Sequence, residues 1–147
     1  MAFKPVRTFS GGSLPVLVNE TAGAGCELWD LVELKATGKW QPEGSTDADS
    51  PAQFGVIVGG NGTGNTFADT DPIDVCLVTP DVIFEADSPH ADPADMDNAP
   101  PWEVDGQTGA STIVDTTAGG TDLQAWYAGM SGKTGYMLVT LRDGDGA

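Results

Sequence analysis

An all-β domain, a small antiparallel β-barrel or sandwich, is what this 147-residue sequence predicts. Three observations lead there. Short apolar, β-branched runs recur at close spacing. The linkers between them are built from Gly, Pro, Asn, Asp, Ser and Thr, whose local geometry favours turns. No stretch has the length and period of a long amphipathic helix. Twenty glycines and ten prolines suit a turn-rich chain, and the length is enough to bury one core.

The elements follow in order. Residues 1–13, MAFKPVRTFSGGS, have no regular period and end in a Gly-Gly break, so they read as an extended N-terminal arm. A single β-domain follows over 14–147. LPVLVN (14–19) is a short β-branched strand. CELWDLVEL (26–34) carries Glu27, Asp30 and Glu33 three residues apart, as a helix would, but it is nine residues long between glycines. With KATGKW after it, strand, turn and strand is the better reading. FGVIVGG (54–60) is a strand closed by glycines. IDVCLV (73–78) places Ile73, Val75 and Leu77 on one face, and DVIFEA (81–86) does the same with Val82, Phe84 and Ala86. STIV (111–114), LQAWYA (123–128) and YMLVTL (136–141) complete the set. Residues 87–108 are the longest irregular piece, an acidic loop, and loops of that length are commonly functional or mobile.

Charge sets the function classes aside. Six basic residues stand against 22 acidic ones, for a net charge of −16, and Trp40 to Gly132 holds no lysine or arginine. The first 19 residues invert this, with Lys4 and Arg7 and no acid. Nucleic-acid binding needs basic groups to neutralise phosphate, so neither nucleic acid nor an anionic membrane is an expected partner. Part of the acidity serves solubility alone. No run approaches the ~20 apolar residues of a spanning helix, and no signal-peptide core is present, so synthesis in the cytoplasm is expected. Cys26 and Cys76 lie in apolar runs outside any metal spacing and read as buried small hydrophobes; a disulfide between them stays open.

The motifs that invite catalytic readings fail on their own chemistry. GMSGKTG (129–135) has Tyr127 where a phosphate loop needs glycine, and a strand follows it where a helix should. VDTT (114–117) places Thr117 where an aspartic protease has glycine. His90, the single histidine, sits among prolines and acids with no nucleophile in a strained elbow. Asp87, Asp92, Asp95 and Asp97 offer hard oxygens to a calcium ion, a weak metal alternative. An EF-hand counted from Asp87 would have Asp92 where glycine belongs and Asn98 where glutamate belongs. No enzyme and no cofactor is expected, and the acidic loop reads as solvated surface.

The order of phrases then carries weight. Trp29 to Leu34 (WDLVEL), Gly38 to Trp40 (GKW), Phe54 to Val58 (FGVIV) and Pro80 to Ala86 (PDVIFEA) follow one another, and TDLQAWYAG to YMLVTL closes the chain. Over residues 14–141 this resembles the head decoration, or capsid cement, proteins of tailed bacteriophages. Glu27 departs from the glycine or small residue of the family phrase. The resemblance implies a non-enzymatic virion protein on the outer capsid surface, bound to the major capsid protein and stabilising the shell. A homotrimer at threefold or quasi-threefold axes is the expected arrangement. The arm would lie along the shell, with Phe3 and Phe9 burying apolar area and Lys4 and Arg7 meeting acidic capsid groups. Two alternatives stand beside it: a tail-tube or fibre-associated virion domain, and a calcium-dependent carbohydrate-binding module stacking sugar on Trp40, Trp102 or Trp126.

Overall fold

The computed structural model describes residues 3–42, 53–106, 108–120 and 122–144. The chain is all-β among these residues. Its strands are β1 (Phe3–Thr8), β2 (Val16–Thr21), β3 (Cys26–Glu27), β4 (Leu31–Leu34), β5 (Trp40–Pro42) and β6 (Phe54–Gly60). There follow β7 (Thr66–Phe67), β8 (Pro72–Leu77), β9 (Val82–Asp87), β10 (Trp102–Asp105), β11 (Thr112–Thr117), β12 (Leu123–Met130) and β13 (Tyr136–Asp143). A six-stranded sheet runs β1-β9-β13-β12-β10-β11, a five-stranded sheet runs β2-β8-β6-β4-β5, and β3 pairs with β7. Every pairing within a sheet is antiparallel.

The two large sheets face each other across the main core. Phe3, Val82, Phe84, Ala86, Val139 and Leu141 point into it from one sheet and Leu31, Phe54, Val56 and Cys76 from the other. Alternation explains the sidedness: Val82, Phe84 and Ala86 share one face of β9, as the sequence predicts. The five-stranded sheet is buried on both sides. Its opposite face gives Val32, Trp40, Ile57, Ile73 and Val75 to a second, smaller core, covered by Cys26 and Phe67 of the β3–β7 ribbon. This is why FGVIVGG is apolar without alternation: Phe54 and Val56 serve one core, Ile57 the other, and Gly55 lets Val75 and Trp40 approach. The sheet curls until its ends touch. Ala22 forms a parallel bridge to Trp40, and the Gly23 N–H donates to the Trp40 carbonyl at 2.8 Å.

Several expectations are corrected. Residues 3–8 of the arm form β1, paired with β9 from Phe3↔Ala86 to Thr8↔Val82. The loop over 87–108 contains β10, whose Trp102 and Val104 are buried, and a 3₁₀ turn at Pro93–Asp95. The run 26–34 is broken at Trp29, whose φ of 70° is rare for a bulky side chain. The turn there is held by Asp30, whose N–H donates to the Glu27 carbonyl at 3.2 Å while its carboxylate accepts the Glu27 N–H at 2.9 Å. The cysteines are buried as expected, and the open question of a disulfide closes: Cys26 and Cys76 are free thiols in different cores.

Candidate functional site

The N-terminal strands are both edges. β1 borders the six-stranded sheet and β2 the five-stranded one. They open on the same flank, because the β1–β2 connection runs beside the short crossing from β8 to β9. Phe9 N–H donates to the Asp81 carbonyl at 2.9 Å, the Ser10 hydroxyl to the Asp81 carboxylate at 2.7 Å, and Leu77 N–H to the Pro15 carbonyl at 2.9 Å. The flank is therefore a fixed surface.

Its side chains do not suit water. Val6, Phe9, Val16, Leu17 and Val18 are exposed, Phe9 to 62% and Val18 to 71%. Five of the seven large apolar side chains exposed among the described residues thus come from residues 6–18. Val18 is pushed outward by an irregularity in β2, where the register against β8 slips between Leu17 and Glu20. Asn19 takes the left-handed conformation there (φ 58°), one that Asn tolerates, and its N–H is held by the Asp74 carboxylate at 3.1 Å. Val6 sits in the corresponding irregularity of β1, between Pro5 and Arg7. Bulges and an edge proline blunt pairing by an added strand. Recognition here would run through side chains.

The cations anticipated from the sequence lie at the same flank. Lys4 stands 5.4 Å from the ring centre of half-buried Trp29. Arg7 is exposed and opposite Ile83 on the outer face of the sheet, with no carboxylate within ion-pair distance among the described residues. Phe9 is exposed beside them. Phe3 belongs elsewhere: it is fully buried in the main core, so its apolar surface is already covered within the chain and is not available to a partner. Sequence reasoning missed Val6 and Val16–Val18, because a β-branched run reads as core until its strand is known to be an edge.

The acidic residues do not converge. The Asp87 carboxylate bonds the Tyr136 hydroxyl, Asp92 accepts the Ala94 N–H at 2.9 Å, and Asp95 and Asp97 are exposed. No group of three or more His, Cys, Asp or Glu is arranged to hold a metal ion among the described residues. The segment is nonetheless firmly built. Met96 enters the main core, and Asp115 accepts the N–H groups of Asp97 (2.8 Å) and Asn98 (3.2 Å). The Asp97 bond leads in holding the Asp115 carboxyl below its usual range. Trp102 donates its indole N–H to the Asn98 carbonyl at 2.8 Å. Of the tryptophans considered for sugar stacking, Trp40 and Trp102 are fully buried, and only Trp126 keeps a partly open face.

Asp30 is the most deeply buried carboxylate among the described residues. It is 1% exposed and accepts N–H groups from Glu27 (2.9 Å) and Gly109 (2.7 Å), tying the turn before β4 to the β10–β11 turn. Burial pushes its pKa up to about 6 against the pull of those two bonds.

Comparison with protein-family models, curated proteins and solved structures finds no match for this chain.

Proposed function

We propose that this chain is a non-enzymatic structural protein of a phage virion, which binds the outer surface of the assembled capsid and stabilises it, docking through its N-terminal flank. The observation that carries the reading is the concentration of exposed apolar side chains over residues 6–18, on a preformed surface beside Lys4 and Arg7. Full coverage of a Phe or Val side chain contributes about 1.5–3 kcal/mol. Phe9 and Val18 alone would then supply a useful share of a docking energy, before the cost of immobilising the protein. Repetition of the contact around a symmetry axis, as in a trimer on the shell, would raise the effective concentration of each weak site. A protein that binds the mature shell and not its precursor would stabilise that state by mass action. The acidic remainder of the surface would face solvent, or other copies.

Co-sedimentation of the protein with emptied, expanded heads of its source phage tests this. Saturable binding by the wild type, lost in a Phe9→Asp/Val18→Asp variant that melts like the wild type, is the expected result. Absence of wild-type binding would overturn the decoration reading. Binding indifferent to the double substitution would remove the flank as the docking surface.

A further inference from the structure

The six-stranded sheet turns one face to the main core, and register fixes which side chains lie on the other. Arg7 stands opposite Ile83, Ile83 opposite Thr140 and Thr140 opposite Trp126, one continuous row across β1, β9, β13 and β12. The neighbouring row runs Lys4, Glu85, Leu138 in the same way. The middle of the first row is closed: Ile83 is 1% and Thr140 2% exposed, although Ile83 belongs to neither core. Its ends are open. Arg7 is exposed, and half-buried Trp126 has the exposed Arg142 guanidinium 5.6 Å from its ring centre. The Trp126 indole N–H donates to Gln124 at 3.2 Å, which fixes the ring.

Arg7 and Arg142 are the chain's only arginines. Neither has a carboxylate within ion-pair distance among the described residues, in a protein with 22 acidic ones. The row between them holds no acid. Glu85 in the neighbouring row stands opposite Lys4 and lies 3.9 Å from Lys133, so its charge is answered within the chain. Lys35 and Lys39, the remaining cations, are paired with Glu33 (3.5 Å) and Asp69 (2.8 Å). The two guanidiniums are thus the cations left for a partner. β1 and β12 are three strand spacings apart, about 14 Å. The screening length at physiological salt is about 8 Å, so the two act as separate charges.

The row is also continuous with the N-terminal flank. Arg7 follows Val6, exposed at the irregularity of β1, so a protein that covers Val6 and Phe9 reaches Arg7. The flank alone is small. A stable contact engages about 20–30 residues a side, or about 800 Å², and five exposed apolar side chains are only part of that.

We propose that the docking surface continues around β1 onto this outer face, where the row receives an acidic segment of the protein on which the chain docks. One carboxylate of that segment meets Arg7 and another meets Arg142. The inference rests on the docking reading above and adds the chemistry of the partner. A guanidinium holds a carboxylate through two parallel hydrogen bonds, which suits it to this contact better than an ammonium. In an extended segment, at about 3.3 Å per residue, carboxylates about 14 Å apart come from residues about four apart, on one face of it. Trp126 and the closed middle of the row supply the apolar floor beneath.

Co-sedimentation isotherms with emptied, expanded heads of the source phage, at low and high salt, provide the test. Arg7→Glu and Arg142→Glu should each weaken binding about tenfold or more while melting as the wild type does, because each sets like charges face to face. Lys39→Glu, the same charge change in the β4–β5 turn, should bind as the wild type. Arg7→Gln/Arg142→Gln should also flatten the salt dependence of binding, the mark of lost ion pairs rather than lost packing. Wild-type binding that the arginine substitutions leave unchanged would overturn this inference while the flank reading stands; absent wild-type binding would overturn both. An equal loss in Lys39→Glu would trace the effect to net charge and overturn it as well. Self-association of the wild type in sedimentation velocity without heads, abolished by Arg142→Glu, would assign the row to a second copy and overturn the proposed partner.

Discussion

Stability should fall as pH rises from about 4 to 6 because of one residue, and the structure gives the size of the effect. Asp30 is raised from 3.8 to about 6 by burial. An acid whose folded pKa lies above its unfolded value favours the protonated native state. Its contribution is fully present below about pH 3.8 and is lost as pH rises through 6. The difference between those values is worth about 3 kcal/mol over the whole window. Between pH 5 and pH 7 the same linkage gives about 1.3 kcal/mol, or roughly 4 °C in Tm for a domain of this size. Discharging the other carboxylates of a −16 protein also changes stability with pH, so the wild type alone cannot isolate the term. Asp30→Asn can. Thermal melts of both proteins at several pH values should show the wild type losing about 4 °C more than the variant between pH 5 and 7. Parallel curves would refute the reasoning. They would mean that the N–H groups of Glu27 and Gly109, which favour the carboxylate, fully offset its burial.

Four further outcomes follow from the same geometry. Phe3→Ala should cost about 3–5 kcal/mol in urea unfolding, as for any large ring removed from a core, whereas Phe9→Ala should stay within about 0.5 kcal/mol. Gly55→Ala places a methyl against the Val75 side chain, 3.2 Å from the Cys76 carbonyl, in a strand buried on both faces; about 1–3 kcal/mol should be lost in the same assay. Burial pushes both thiols up to about 11, so neither Cys26 nor Cys76 should react with a thiol reagent at pH 8 until denaturant is added. Asp115 has the opposite sign to Asp30: its depressed pKa makes its contribution present above the ordinary carboxylate range and lost as pH falls through the folded value. Asp115→Ala should accelerate amide exchange at Asp97 and Asn98 with little change elsewhere.

The sequence made the interior strands legible and the edges obscure, for a physical reason. β6, β8, β9, β12 and β13 pack against neighbours on both sides or alternate cleanly, so their runs of Val, Ile, Leu and Phe announce them. β1 does not. FKPVRT offers one core side chain, and its pairing with β9 joins residues some eighty positions apart, which no local pattern encodes. β10 hides because WEVD lies inside an acidic stretch, although Trp102 and Val104 do alternate into the core. Val16–Val18 misled in the other direction. Their composition is that of a buried strand, but burial depends on which strand lies next to β2, and among the described residues no strand pairs with its outer edge.

The same asymmetry governs the candidate site. Phe3 and Phe9 look equivalent in the sequence, each an aromatic two residues from a proline or glycine and within two residues of a cation. Antiparallel pairing with β9 separates them. Phe3 falls opposite Ala86 and turns inward, while Phe9 lies just past the last paired residue, Thr8, and is left outside. A deletion of residues 1–13 would therefore be a poor probe of docking. It would remove Phe3 from the main core and strip β9 of its partner, so that lost binding could reflect lost folding. Substitution at Phe9 and Val18 leaves both strands in place and changes only what the flank presents. Any attempt to read an interaction surface from this sequence has to resolve which strands are edges first, because the same apolar residue stabilises the fold on one side of that boundary and is available to a partner on the other.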